Sequence, residues 1–253
     1  MLSGNGLTEG FWDSFSPLYS DLAQGDIPLR AVDVMFEEGI LRPDDSVLEV
    51  GCGKGAYSML IAPRVRVLTC MDISDKMLDH LFNELHIKEL GRVERFHKDW
   101  NTYSPRKGYA VCFCAMLPRA SSEESLLRME GAAKERCATV VWERNLREDL
   151  MLKIRDELGI DWPKETEGQH TIRDWLEENG REFSEHRIVS SVESMVPAET
   201  VMAKEISRFG SAGFTEGVEA VVRDCVSESS EDGLIRYHAG SSAVMYAWKS
   251  PLM

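Results

Sequence analysis

The sequence predicts a doubly wound α/β fold, a mostly parallel sheet with helices on both faces. Three observations carry this. Short β-rich runs alternate with helical patterns from about Asp45 to Arg144, which is the pattern of βαβ units. Runs such as Ala110–Met116 (AVCFCAM) are apolar without alternation, as strands covered on both faces are. The first strand also runs directly into Gly51-Cys52-Gly53-Lys54-Gly55, a tight turn that needs glycine before a helix can begin.

In chain order, two helices come first. One lies around residues 11–23 (FWDSFSPLYSDLA) and one around residues 28–39 (PLRAVDVMFEEG), with Pro28 suited to a first helical turn. Residues 1–40 read as an N-terminal helical lid, and residues 41–253 as the main domain, with its core at about 45–145. Strands are expected at 46–50, 65–71, 92–96, 109–116 and 138–143. Helices are expected from Gly55, from Ser74 and from Ser121, where Ser121 and Glu124 have capping-box spacing. Gly91 should end the second of these helices, and Gly131 should interrupt the third.

The second half, 146–253, reads as helical additions. The expected order is helix, helix, a strand at 183–192, a helix at 197–209, a further helix and a final strand at 243–249. Residues 159–169 and the acidic run Glu228–Asp232 read as loops.

The chain has 253 residues, 43% of them hydrophobic and 28% charged, a composition that excludes collagen-like and disordered classes. With 43 acids against 29 Lys and Arg, the formal charge is −14, which argues against a nucleic-acid partner. No export signal or membrane span is expected, because the start lacks a basic and then apolar segment and the densest apolar stretch is short. Six cysteines without a CxxC pair and six histidines without HxxxH spacing point to a reduced, cytoplasmic protein with no metal site.

The chemistry gathers around the glycines. Gly51-x-Gly53-x-x-Ala56 also fits a dinucleotide fingerprint, so the glycines alone leave the cofactor open. The surrounding acids narrow it. Glu49 stands two residues before Gly51, and Asp72 ends the second strand, where an acid can accept from both ribose hydroxyls. Asp99 follows the third strand, with Trp100 beside it. A carboxylate at Glu49 would repel a pyrophosphate. It would attract a ligand carrying an ammonium and a sulfonium.

On these residues the sequence resembles the class I S-adenosylmethionine-dependent methyltransferases, whose fold is Rossmann-like. In that family an acid precedes GxGxG, as in Glu49-Val-Gly-Cys-Gly-Lys-Gly55. The resemblance covers about 40–145 and implies S-adenosylmethionine as cofactor, with S-adenosylhomocysteine as product. It implies cofactor contacts at Glu49, Gly51, Cys52, Gly53 and Gly55, at Asp72 on the ribose and Ile73 on the adenine, at Asp99 on the adenine amino group with Trp100 alongside, and at Cys114 where the fourth strand ends. Trp12 and Tyr19, seven apart and so on one helix face, are candidates for packing and for a lid, and Met116 for the acceptor side.

The segment Cys114-Ala-Met-Leu-Pro118 matches none of the family's substrate motifs, such as Asn/Asp-Pro-Pro-Tyr/Phe. The acceptor is therefore not specified, with a small molecule or protein side chain favoured over nucleic acid, and no general base is assigned. Cys112 and Cys114 share one side of a strand and read as small buried hydrophobes. Two other readings remain at this point: an NAD(P)-dependent oxidoreductase on a related fold, and a non-catalytic, methyltransferase-like subunit that binds a partner.

Overall fold

The structure, a computed structural model, describes residues 8–16, 25–88, 90–117, 120–146, 149–159, 172–211 and 217–251. Tyr19, Pro118 and the expected loop beyond Gly159 lie outside these residues. Residues 1–143, 170–188 and 243–253 form one compact unit, and residues 144–169 and 189–242 form another.

The elements begin with α1 (Glu9–Phe15), α2 (Ile27–Glu37), β1 (Ser46–Val50) and α3 (Ser58–Ile61), the last running into a 3-10 turn at Ala62–Arg64. Next come β2 (Val67–Asp72), α4 (Asp75–Lys88), β3 (Val93–His97), β4 (Tyr109–Ala115), α5 (Glu123–Ala132) and β5 (Ala133–Leu146). The second half contributes α6 (Asp149–Glu157), α7 (Ile172–Glu178), β6 (Phe183–Pro197), α8 (Ala198–Ser211), α9 (Val218–Glu228), β7 (Ser230–Glu231) and β8 (Leu234–Lys249). The strand order is β3-β2-β1-β4-β5-β8-β6, with β7 on β8. The pairs β1–β2, β1–β4, β2–β3 and β4–β5 are all parallel.

Strand geometry sorts the core. Successive side chains point to opposite faces, so Val47, Cys70, Val111 and Phe113 join one buried cluster with Ile27, Met35, Ile61 and Leu81 from α2, α3 and α4. Leu48, Val50, Met71, Cys112 and Cys114 join another with Leu126 and Met129 of α5 and Trp175 and Leu176 of α7. Each large apolar side chain buried this way is worth about 1.5–3 kcal/mol. Glu130 lies beneath this second cluster, 5% exposed. It accepts from Arg181 through both oxygens, at 2.7 and 3.0 Å, and from Trp248 Nε1 at 3.0 Å.

In the other unit, Ile154, Val201, Phe209, Val222, Val226 and Ile235 form a separate core. Its hairpin turns through Asp232 and Gly233, both at positive φ (51° and 75°). The run Glu228–Asp232, expected as a loop, is therefore the end of α9 and a short strand. A two-residue Asp-Gly turn at positive φ is the favoured hairpin link.

Other boundaries moved for local reasons. The helix after the glycines starts at Ser58 rather than Gly55, because Gly53 and Gly55 take φ values of 54° and 94°, which no right-handed helix accepts. The α5 cap is Ser122, which accepts from Ser125 N at 3.3 Å, while Glu124 pairs with Arg128 at 2.6 Å. Gly131 lies inside the last turn of α5. Strands β5, β6 and β8 all run longer than expected, β8 continuing through Gly240-Ser241-Ser242, which as sequence reads like a turn. Among the described residues, no helix is long and apolar enough to cross a membrane.

Candidate functional site

The glycine loop is held by the end of β2. Gly51 and Cys52 both donate their backbone N–H to the Met71 carbonyl, at 2.8 and 3.1 Å. Gly53 N donates to Asp72 Oδ2 at 2.8 Å. Two glycines in this loop have different duties. At Gly55, φ is 94° and an added Cβ would lie 2.2 Å from Leu81 Cδ1, so a side chain there would have to displace the buried Leu81. At Gly53, φ is 54° and an added Cβ would meet nothing within 4 Å. The backbone there faces open space, and a side chain would fill the cradle.

Two buried acids stand at the ends of the strands that lead into and hold this loop. Glu49 on β1 lies opposite Cys70 of β2 and Phe113 of β4 and is 2% exposed. Its Oε2 accepts from Ser58 Oγ at 2.6 Å. Burial pushes its carboxyl up to about 8, with the Ser58 bond opposing and the Asp72 charge adding to the rise. Asp72 is also buried, and burial raises its pKa against the pull of three backbone donors at Ser74, Gly53 and Ile73. Its Oδ1 takes Ser74 N at 2.9 Å. Among the described residues, no Lys, Arg or His forms an ion pair with Glu49.

The remaining expected residues divide into several groups. Ile73 is partly buried at the start of the next turn, and its carbonyl accepts from His97 Nε2 at 2.8 Å. Asp99 closes a turn, its Oδ1 accepting from Asn101 N and Nδ2 at 2.9 and 3.1 Å. Trp100 is buried in the second cluster, its indole N–H on Ser125 Oγ at 3.0 Å. The Cys114 side chain also turns into that cluster, 3.2 Å from Thr139 Oγ1 and 3.7 Å from Met129 Sδ. Burial raises its thiol to about 11, so it is an inert packing group.

Met116 takes φ 52° just past β4. For a non-glycine residue this is a strained backbone, placed where the strand leaves the sheet toward Leu117. Leu117 Cδ1 would lie 2.6 Å from a Cβ on Gly51, so the chain after β4 packs directly over the glycine loop. Trp12 is on α1, whose neighbour Asp13 accepts from Ser74 Oγ at 2.6 Å.

Ser58, Ser74, Asp13 and Leu117 were not picked out from the sequence. The one available signal was at Ser74, which follows a strand-end acid and opens a helix. Its Oγ also accepts from Met77 N at 3.2 Å, capping α4.

A parallel sheet with a glycine loop at the carboxyl end of β1, flanked by strand-end acids, defines a Rossmann-like nucleotide-type site. Residues 47–134 match a family model described as a methyltransferase domain. No curated protein matches the chain by sequence. Among solved structures, the chain is similar to a candidate methyltransferase of Bacillus halodurans, with 15% identity and a TM-score of 0.56 over 87% of this chain and 99% of that one. It is also similar to the YcgJ protein of Bacillus subtilis, with 12% identity and a TM-score of 0.56 over 88% and 99%. A third is magnesium protoporphyrin IX methyltransferase of Synechocystis with bound S-adenosylhomocysteine, with 14% identity and a TM-score of 0.51 over 93% and 96%. At such identities the likeness is one of fold. The matched domain lies within that fold and takes in the glycine loop and both strand-end acids, Glu49 and Asp72.

Proposed function

We propose that this protein is a methyltransferase that holds S-adenosylmethionine along the glycine loop and methylates a small molecule or a protein side chain. The observation that carries the site is the pair of buried acids, Glu49 near the end of β1 and Asp72 at the end of β2, with the backbone between these strands open at Gly53. A buried carboxyl without a cationic partner suits a ligand that brings positive charge. The pyrophosphate that the oxidoreductase reading requires would bring neither acid a counter-charge.

In this reading Glu49, Gly51, Cys52, Gly53 and Gly55 take the amino-acid end of the cofactor. Asp72 takes the ribose hydroxyls, Ile73 packs on the adenine, and Asp99 takes its amino group. Trp100 and Cys114 act by packing the walls behind the crevice, since both side chains are buried away in the second cluster. When bound, the cofactor supplies a methyl group already activated by a sulfonium. The chain therefore supplies no nucleophile, and holding acceptor and methyl in line accounts for about 7–11 kcal/mol of barrier.

Residues 1–40 act as a lid in this reading, with Trp12, Tyr19 and Met116 as the candidates for contact with the acceptor. The polar tether from Asp13 to Ser74 supports this for α1, because Ser74 also donates to Asp72. The experiment is a calorimetric titration of S-adenosylhomocysteine into the protein, with Asp72→Ala as control. Micromolar binding that the substitution abolishes is expected. No heat at high micromolar ligand would overturn the reading, and displacement of the ligand by NADH would favour the oxidoreductase.

A further inference from the structure

Glu49 is enclosed by groups of a particular kind. From α3 it faces Ser58, which is 0% exposed. From β2 it faces its register partner Cys70 and, at the strand end, the second acid Asp72. From the glycine loop it faces Cys52, and from β4 Phe113. None of these carries positive charge. The nearby His97 acts on Asp72 and donates to the Ile73 carbonyl. A carboxyl in such a place is most stable with its proton on, which agrees with the raised pKa of this group.

Resting on the cofactor reading above, we infer that Glu49 and Ser58 form a proton-exchange unit: Glu49 accepts the cationic amino-acid head of the ligand only by releasing its own carboxyl proton to solvent, and Ser58 positions the resulting carboxylate. The balance is simple. The carboxyl O–H bond breaks, the proton goes to buffer, and the ligand's ammonium becomes the counter-charge. Ser58 Oγ–H remains on Oε2 throughout, and it favours the ionised form. When ligand leaves, Glu49 takes a proton back. Occupancy of the crevice is thus tied to pH by one residue, and Ser58 sets where the dependence falls.

The test is calorimetry with S-adenosylhomocysteine near pH 7 in two buffers of different ionisation enthalpy, phosphate and Tris. The difference in heat counts protons. Wild-type protein should release close to one proton per ligand bound, and Glu49→Gln, which binds more weakly, should release none. Ser58→Ala should bind about tenfold more weakly near pH 7, with the gap closing by about pH 9, because loss of the donor raises the proton affinity of Glu49. A purely structural Ser58 would give the same loss at every pH. Binding with no exchanged proton, or a Glu49→Gln variant releasing as many protons as wild type, would overturn the inference and leave the cofactor reading standing. Absence of binding would overturn both. The wild-type proton count does not depend on how well either variant folds.

Discussion

Ser74 Oγ donates to Asp13 Oδ1 at 2.6 Å, while the backbone N–H of the same serine donates to Asp72 Oδ1 at 2.9 Å. One residue therefore ties the N-terminal helix to the acid at the end of β2. A second tether lies beside it, His97 Nε2 standing 3.3 Å from Glu9 Oε1. Helix α1 has only seven residues, too few to hold together by its own hydrogen bonds. Its order depends on these contacts with its neighbours.

Asp13→Ala removes the acceptor. Amide exchange across residues 9–15 should rise, and S-adenosylhomocysteine should dissociate about five- to tenfold faster, as expected for loss of one charge-assisted hydrogen bond. Hydrogen exchange and stopped-flow displacement measure the two effects. Faster exchange in α1 with an unchanged dissociation rate would show that the helix packs on the domain without covering the crevice.

Gly53→Ala and Gly55→Ala separate cradle from packing. Gly55→Ala meets both a positive φ and Leu81, and should cost about 2–5 kcal/mol of stability. Gly53→Ala meets only the positive φ, so about 1–2 kcal/mol is expected, yet its methyl projects into the open side and should weaken ligand binding more than tenfold. Urea denaturation and calorimetry on both variants check this. Equal binding by wild type and Gly53→Ala would remove Gly53 from the site.

The apo protein should carry a pH signature from Glu49. Its folded pKa, about 8, lies above the ordinary value of 4.5. A raised folded pKa contributes stability that is complete below about pH 4.5 and is lost as pH rises through about 8. Glu49→Gln, which cannot ionise, should therefore match wild type near pH 4 and exceed it by a few kcal/mol near pH 9. Melting temperatures across that range, without ligand, provide the measurement. Parallel curves for the two proteins would contradict the buried, neutral carboxyl.

Glu130→Ala should unfold the protein more readily by about 3–5 kcal/mol, because it leaves the Arg181 guanidinium and the Trp248 N–H without their acceptor. Glu130→Gln, which keeps one acceptor oxygen, should recover part of the loss. Chemical denaturation decides it, and a cost under about 1 kcal/mol for the alanine would show that Arg181 finds solvent instead.

The sequence by itself determined the parallel core, the glycine turn and the strand-end acids. Each depends on near neighbours in the chain: unbroken apolar runs for strands buried on both faces, glycines where φ must be positive, and acids at fixed offsets from them. Glu49, Gly53 and Asp72 were legible for that reason. Only the tertiary structure decided what those acids touch. Ser58 and Asp13 stand 9 and 61 positions from their partners Glu49 and Ser74, and no local pattern reports such pairings. Trp100 and Cys114 show the same limit from the other side. Their positions beside the crevice were readable, but the rotation that buries both side chains against α5 depends on which face of the sheet that helix covers. The charge state of Glu49 is likewise tertiary, because desolvation by the packed strands, the Ser58 donor and the Asp72 charge together set its proton affinity.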